Sequence, residues 1–111
     1  MLKNYTPHVV SVVTSDGTFR DIPSVGRAVV SMKTVPSHAV DGCQISNTTY
    51  GDITGLPEVS EGGALYIVSS VVLSAARATD HPMLPFLVAP DTGPTAIREN
   101  GQVKAVLGFV R

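Results

Sequence analysis

The sequence predicts an α+β fold that is mainly β: antiparallel hairpins with one short helix after a central strand, in a single compact domain over residues 1–111. Three observations lead there. The aliphatic residues are mostly valine, whose stiff χ1 favours strands. Turn signals at Ser15-Asp16-Gly17, Gly55-Leu56-Pro57 and Asn100-Gly101 separate short apolar runs. Only residues 70–77 read as a helix, with serines before them and Arg77 at their end.

Taken in order, His8 to Thr14 (HVVSVVT) is a strand, and Thr18 to Ile22 returns as its hairpin partner. Pro23, Ser24 and Gly26 break the pattern. Gly26 to Met32 (GRAVVSM) then reads as a third strand, with its valines inside and Arg27 near its mouth. From Lys33 to Thr49 the pattern is lost, and Pro36, Gly42 and Asn47 punctuate a mostly polar stretch. The expectation there is a long irregular connection with a short strand near residues 44–46. Tyr50 starts strand-like before the Gly55-Leu56-Pro57 turn. Residues 64–69 are continuously apolar, as a strand covered on both faces would be. Ser69 or Ser70 caps the helix that follows, and Arg77 suits its negative end. Pro82, Pro85 and Pro90 make residues 80–94 a rigid loop, and residues 95–110 form a hairpin around Asn100-Gly101.

A chain of 111 residues with 43% hydrophobic content can bury one core without disulfide or metal staples. Charged residues make up only 15%, against a typical value of about 25%, so part of the surface is expected to be covered in a homo-oligomer. Net charge is −1 and the cations are spread singly, which disfavours nucleic-acid binding. No apolar run approaches the length of a membrane-spanning helix, and the N-terminal segment does not read as a signal peptide. The single cysteine, Cys43, leaves no internal disulfide, so a reducing cytoplasm is the expected location.

Three places could carry chemistry. At the strand-to-helix junction, Ser69 and Ser70 could join free backbone N–H groups in holding an anion; simple capping is the alternative. In Arg77, Asp80 and His81, the guanidinium could grip phosphate while Asp80 orients His81; a local Arg77–Asp80 ion pair is the alternative. In Asn4-Tyr5-Thr6-Pro7-His8, the side chains of Asn4, Thr6 and His8 could face a ligand or bond local backbone. No catalytic signature and no paired acidic motif occurs, and the three histidines lie far apart, so neither a metal nor a cofactor is expected.

The chain also resembles a family of small, largely uncharacterised bacteriophage and bacterial proteins. The resemblance rests on Asn4-x-Thr6-Pro7-His8, Pro23-Ser24-x-Gly26-x-x-Ala28, Tyr50-Gly51 with Gly55-Leu56-Pro57, Tyr66-Ile67-Val68-Ser69, Arg77-x-x-Asp80 and Arg98-Glu99-Asn100-Gly101, in that order. Tyr5 stands where that family more often has leucine, and the 32–48 stretch is longer here. The resemblance implies a viral accessory role in the host cytoplasm. Together these features lead to an expected function: sequestration of a small anionic, nucleotide-derived host signalling molecule, in a pocket that subunits could share. Arg77, Arg27 and Arg98 would pair with phosphate, and Ser69 and Ser70 would donate hydrogen bonds. Tyr50 or Tyr66 would stack on a base. Two alternatives remain open: a metal-independent hydrolase of such a molecule, using His8 or His81, and a structural or host-protein-binding component that uses an exposed strand edge.

Overall fold

The computed structural model describes all residues, 1–111. The first four strands are β1 (Leu2–Asn4), β2 (Val10–Val13), β3 (Phe19–Ile22) and β4 (Val29–Val40). They are followed by β5 (Cys43–Thr54), β6 (Leu65–Ile67) and the helix α1 (Ser70–Ala78). A 3₁₀ turn over Leu84–Phe86 leads into β7 (Leu87–Pro90), and β8 (Ile97–Glu99), β9 (Gln102–Ala105) and β10 (Phe109–Val110) complete the chain. The fold is α+β and mainly β, as the composition implies. No helix is long and apolar enough to cross a membrane.

The centre is a four-stranded sheet in the order β1-β6-β7-β10. β6 runs parallel to both β1 and β7, while β10 is antiparallel to β7. Two parallel neighbours need a long crossover, and α1 supplies it between β6 and β7. Side chains alternate across these strands. Tyr66, Val68, Leu87 and Ala89 face the helix and pack with Val72, Leu73 and Ala76. Ile67 and Val88 face the other way, onto Val10, Val12, Ile22 and Val106. The continuous apolar run at 64–69 therefore reflects cover on both sides, by α1 and by the β2–β3 hairpin.

One central strand escapes the sequence reading. β7 lies inside the segment expected to be a proline-bound loop, yet Leu87, Val88 and Ala89 are all buried. Pro85 precedes the strand and Pro90 ends it, so neither ring removes a donor from its middle.

The largest departure is the stretch from Lys33 to Thr49. Instead of an irregular connection, β4 and β5 form a hairpin of 12 residues per strand, which protrudes from the body. Asp41 and Gly42 close it with φ of 52° and 77°, the two positive values of a type I′ turn. Pro36 is accommodated at a register shift between Pro36 and His38. At the root, Val30 and Ile53 pack on the helix-side core, but Val29 points to solvent, so only part of the valine run lies inside. At about 3.3 Å per residue the arm extends roughly 40 Å. It accounts for a radius of gyration of 16.2 Å, where about 13 Å is usual for this chain length.

The ends of α1 follow local rules. Ser69 is the N-cap, its Oγ accepting the Val72 N–H at 3.2 Å. At the other end, the His81 N–H donates to the Ala76 carbonyl at 2.9 Å, with Asp80 in the left-handed region at φ 52°. This is a Schellman closure that glycine fills with less strain than aspartate. Asp80→Gly is therefore expected to raise unfolding free energy by up to about 1 kcal/mol, read as a higher urea midpoint. A lower midpoint would mean that the carboxylate contributes more than its backbone strain costs.

Candidate functional site

A cleft of about 240 Å³ opens where α1 begins, between the Tyr5–Pro7 segment and the root of β4. Tyr5, Thr6, Arg27 and Ser69 line it, with Ala28, Val30 and Val72 as its apolar floor. The helix has nine residues and its first turn carries no acidic side chain. The Val72 N–H is taken by Ser69 and the Leu73 N–H by the Ser69 carbonyl, which leaves Ser70 and Val71 N–H without intrahelical partners. Arg27 is exposed and takes part in neither of the molecule's ion pairs, Lys3–Glu61 and Lys104–Glu99. No carboxylate lines the cleft. A helix N-terminus, an unpaired guanidinium and the Ser69 hydroxyl, whose proton is free, thus meet in one place and favour an anion, while the Thr6 hydroxyl proton is held by Asn4 and His8.

A larger cleft of about 440 Å³ lies between β1 and β3, with Lys3, Arg20 and Asp21 on its walls. Size alone does not favour it for an anion. Its lysine already binds Glu61 at 2.8 Å, which holds the Glu61 carboxyl below the ordinary glutamate range and Lys3 above the ordinary lysine range. Its aspartate adds a negative charge at the wall and accepts a hydrogen bond from Ser11 Oγ at 2.7 Å. The smaller cleft has the better charge balance.

The structure sorts the sequence candidates. Thr6, Arg27 and Ser69 come together at the cleft, and Ser70 lies exposed at the first helical position beside it. Arg77 and Asp80 do not join them. Eight residues of helix separate Ser69 from Arg77, about 12 Å along the axis, and neither the Arg77–Asp80 ion pair nor a fold back towards Ser69 forms. Arg98 sits in β8, where its Nη2 donates to the Thr92 carbonyl at 2.8 Å. Tyr50 is half-buried at the root of the arm, opposite Met32. His8 is exposed, while His81 Nδ1 accepts the Met83 N–H at 3.0 Å beyond the far end of α1.

Two expected ligand contacts are structural instead. Tyr66 is fully buried, so its ring cannot stack on a base; its hydroxyl oxygen accepts the Glu61 N–H at 3.1 Å. Asn4 is also fully buried. Its Nδ2 donates to the His8 carbonyl at 2.7 Å and the Ile22 carbonyl at 2.8 Å, while its Oδ1 accepts the Thr6 N–H at 2.9 Å and the Thr6 hydroxyl at 2.6 Å. Every polar valence is used, and none is left for a ligand.

Tyr5 is the residue that sequence reasoning passed over. Its ring packs against Tyr66 with centroids 5.3 Å apart and planes 58° apart, and its edge walls the cleft. Gly26 makes room for it, because a Cβ there would collide with the Tyr5 ring. The only signal in the chain was the adjacency of Tyr5 to Thr6-Pro7; the Gly26 contact arises through folding.

Comparison with protein-family models, curated proteins and solved structures gives no match. The functional reading therefore rests on the geometry of the cleft and on the residues that form it.

Proposed function

We propose that the protein binds a small anionic molecule at the N-terminus of α1 and holds it without turnover. The observation that carries this reading is Arg27, a guanidinium with no carboxylate partner, placed beside Ser69 and two unpaired helix N–H groups. A cleft of about 240 Å³ is smaller than sites that enclose a drug-sized ligand, roughly 300–1,000 Å³. A nucleotide-derived ligand would seat a phosphate here and leave the remainder against Tyr5 and outside the cleft. Sequestration of such a host signalling molecule by a phage accessory protein joins this chemistry to the sequence resemblance. No observation favours the hydrolytic alternative: His8 points to solvent and His81 is occupied by backbone at the other end of the helix. The protein-binding alternative has one observation of its own, the exposed β4–β5 arm.

The test is calorimetric and thermal-shift titration with inorganic phosphate, cyclic nucleotides and ADP-ribose. A compound at a hundred times its dissociation constant should add about 2.7 kcal/mol of apparent stability. Arg27→Gln should weaken that binding roughly tenfold to a hundredfold, the loss of one charge-assisted hydrogen bond. Arg77→Gln, at the opposite end of α1, should bind like the unaltered protein. Equal affinity in Arg27→Gln, or no shift with any of the compounds, would remove the proposal.

A further inference from the structure

Beyond its root the β4–β5 arm has no body beneath it. From Met32 to Thr49 every residue is exposed, among them Val35, Val40 and Ile45. A two-stranded ribbon alone is marginal in water, because its side chains bury nothing and both of its edges lack partners. Pairing puts Lys33, Val35, His38 and Val40 opposite Thr49, Asn47, Ile45 and Cys43, so Val35, Val40 and Ile45 share one face of the ribbon.

The two edges differ. β4 carries the features that keep an edge from pairing: Lys33, Pro36 and an irregularity in register after Pro36. β5 carries none of them from Cys43 to Tyr50 (CQISNTTY). That stretch has no charge, no proline and no register irregularity, and it is rich in β-branched and small polar residues. One edge of the arm is guarded and the other is open.

The geometry points to the open β5 edge as a self-association surface, on which the β5 edge of a second copy of this chain pairs antiparallel about a two-fold axis near Asn47. A second copy suits this edge for two reasons. An isologous interface sets the same patch of both copies against itself, so a patch with net charge would repel its copy; residues 43–50 carry none, and the whole chain carries only −1. The two-fold also puts two ribbons side by side as a four-stranded sheet, β4-β5-β5-β4, which is above the three strands at which an apolar face supports a sheet. Val35, Val40 and Ile45 of both copies then share one face. Pairing over eight residues adds about one intermolecular hydrogen bond per residue. This inference does not depend on the anion site, since the cleft lies at the root of the arm and the paired segment lies beyond it.

The experiment is the solution mass of the full chain over a concentration series, by sedimentation equilibrium, with amide hydrogen exchange on the same samples. The expected result is twice the 11.6 kDa chain mass, with the outward amides of residues 43–50 protected when the mass doubles and exchanging freely on dilution. Asn47→Lys sets two like charges against each other at the axis and should shift the mass towards the monomer at least tenfold in dissociation constant. Thr34→Lys, on the guarded strand, should not. A monomer at every concentration overturns the proposal. So does a dimer in which the β5 amides exchange freely, or one that Asn47→Lys leaves intact while circular dichroism shows the fold unchanged. If Asn47→Lys fails to fold, the mass and amide exchange of the unaltered protein still decide the question.

Discussion

Asn4→Ala is expected to destabilise the protein by about 3–4 kcal/mol, the largest effect of any polar substitution in the chain. Asn4 is the only polar residue of the core, and one side chain connects four partners there. The His8 and Ile22 carbonyls each receive one of its amide protons, and the Thr6 N–H and hydroxyl converge on its oxygen. Its backbone adds a further tie by accepting the Val25 N–H at 2.9 Å. Alanine would keep β1 paired with β6 but remove the amide that ties the His8 and Ile22 carbonyls together, and leave the Thr6 N–H without its acceptor. Each hydrogen bond contributes roughly 0.5–1.5 kcal/mol, and four are lost together. The melting temperature should fall by more than about 10 °C. Asn4→Asp separates structure from ligand binding. At neutral pH its carboxylate would face two carbonyl oxygens with no proton to donate, so it should be at least as unstable as alanine. Near-normal stability in both variants would sink the structural role and reopen the possibility that Asn4 serves a ligand.

Gly55→Ala should cost at least about 3 kcal/mol, through two effects that add. Gly55 follows β5 with φ of +92°, where any side chain is strained by about 1–2 kcal/mol. A Cβ there would also run into the Arg27 carbonyl oxygen, with the carbonyl carbon 2.9 Å away. That obstacle is backbone, at the residue just before Ala28 and the start of β4, and it cannot rotate aside. The methyl would force the exit of β5 away from the entry of β4 and displace Arg27 from the cleft. Gly17→Ala is the control. Its φ of +83° is similar, but open space surrounds it, so only the backbone strain applies, about 1–2 kcal/mol. Chemical denaturation of the two variants measures the difference. Equal losses would show that the Arg27 contact carries no energy. If an anion binds as proposed, Gly55→Ala should also lower its affinity at temperatures where the fold persists, because it moves Arg27.

How far the residues could be read depended on whether their signal was local. The β2–β3 hairpin was legible because Ser15-Asp16-Gly17 mark a turn and the valine-rich run before it is strand-like in composition. The Asn100-Gly101 turn was legible because both residues must take positive φ, and they do, at 53° and 78°. The helix was legible from its serine cap and from an apolar pattern that buries Val72, Leu73, Ala75 and Ala76. The arm was not, because strand prediction looks for one buried face and this ribbon buries neither. Asp41-Gly42 held the same turn signal as Asn100-Gly101 but lay in a stretch without alternation.

The candidate site divides along the same line. Ser69 was legible as a cap, since a cap depends on a few consecutive residues, here Ser69 to Val72. That Thr6, Arg27 and Ser69 meet, and that Arg77 stays about 12 Å from Ser69, are long-range facts of chain path. Asn4 and Tyr66 carried polar groups that suggested ligand contacts, but burial decided their role, and burial belongs to the whole fold. By itself, then, the sequence determined the elements held by neighbouring residues: turns, cap, helix, and a mainly β composition. The tertiary structure alone decided that β6 and β7 run parallel around α1, that Asn4 is enclosed, and that a single arginine stands at the helix start. Those outcomes depend on contacts between residues distant in the chain, whose free energy exists only once the core has closed.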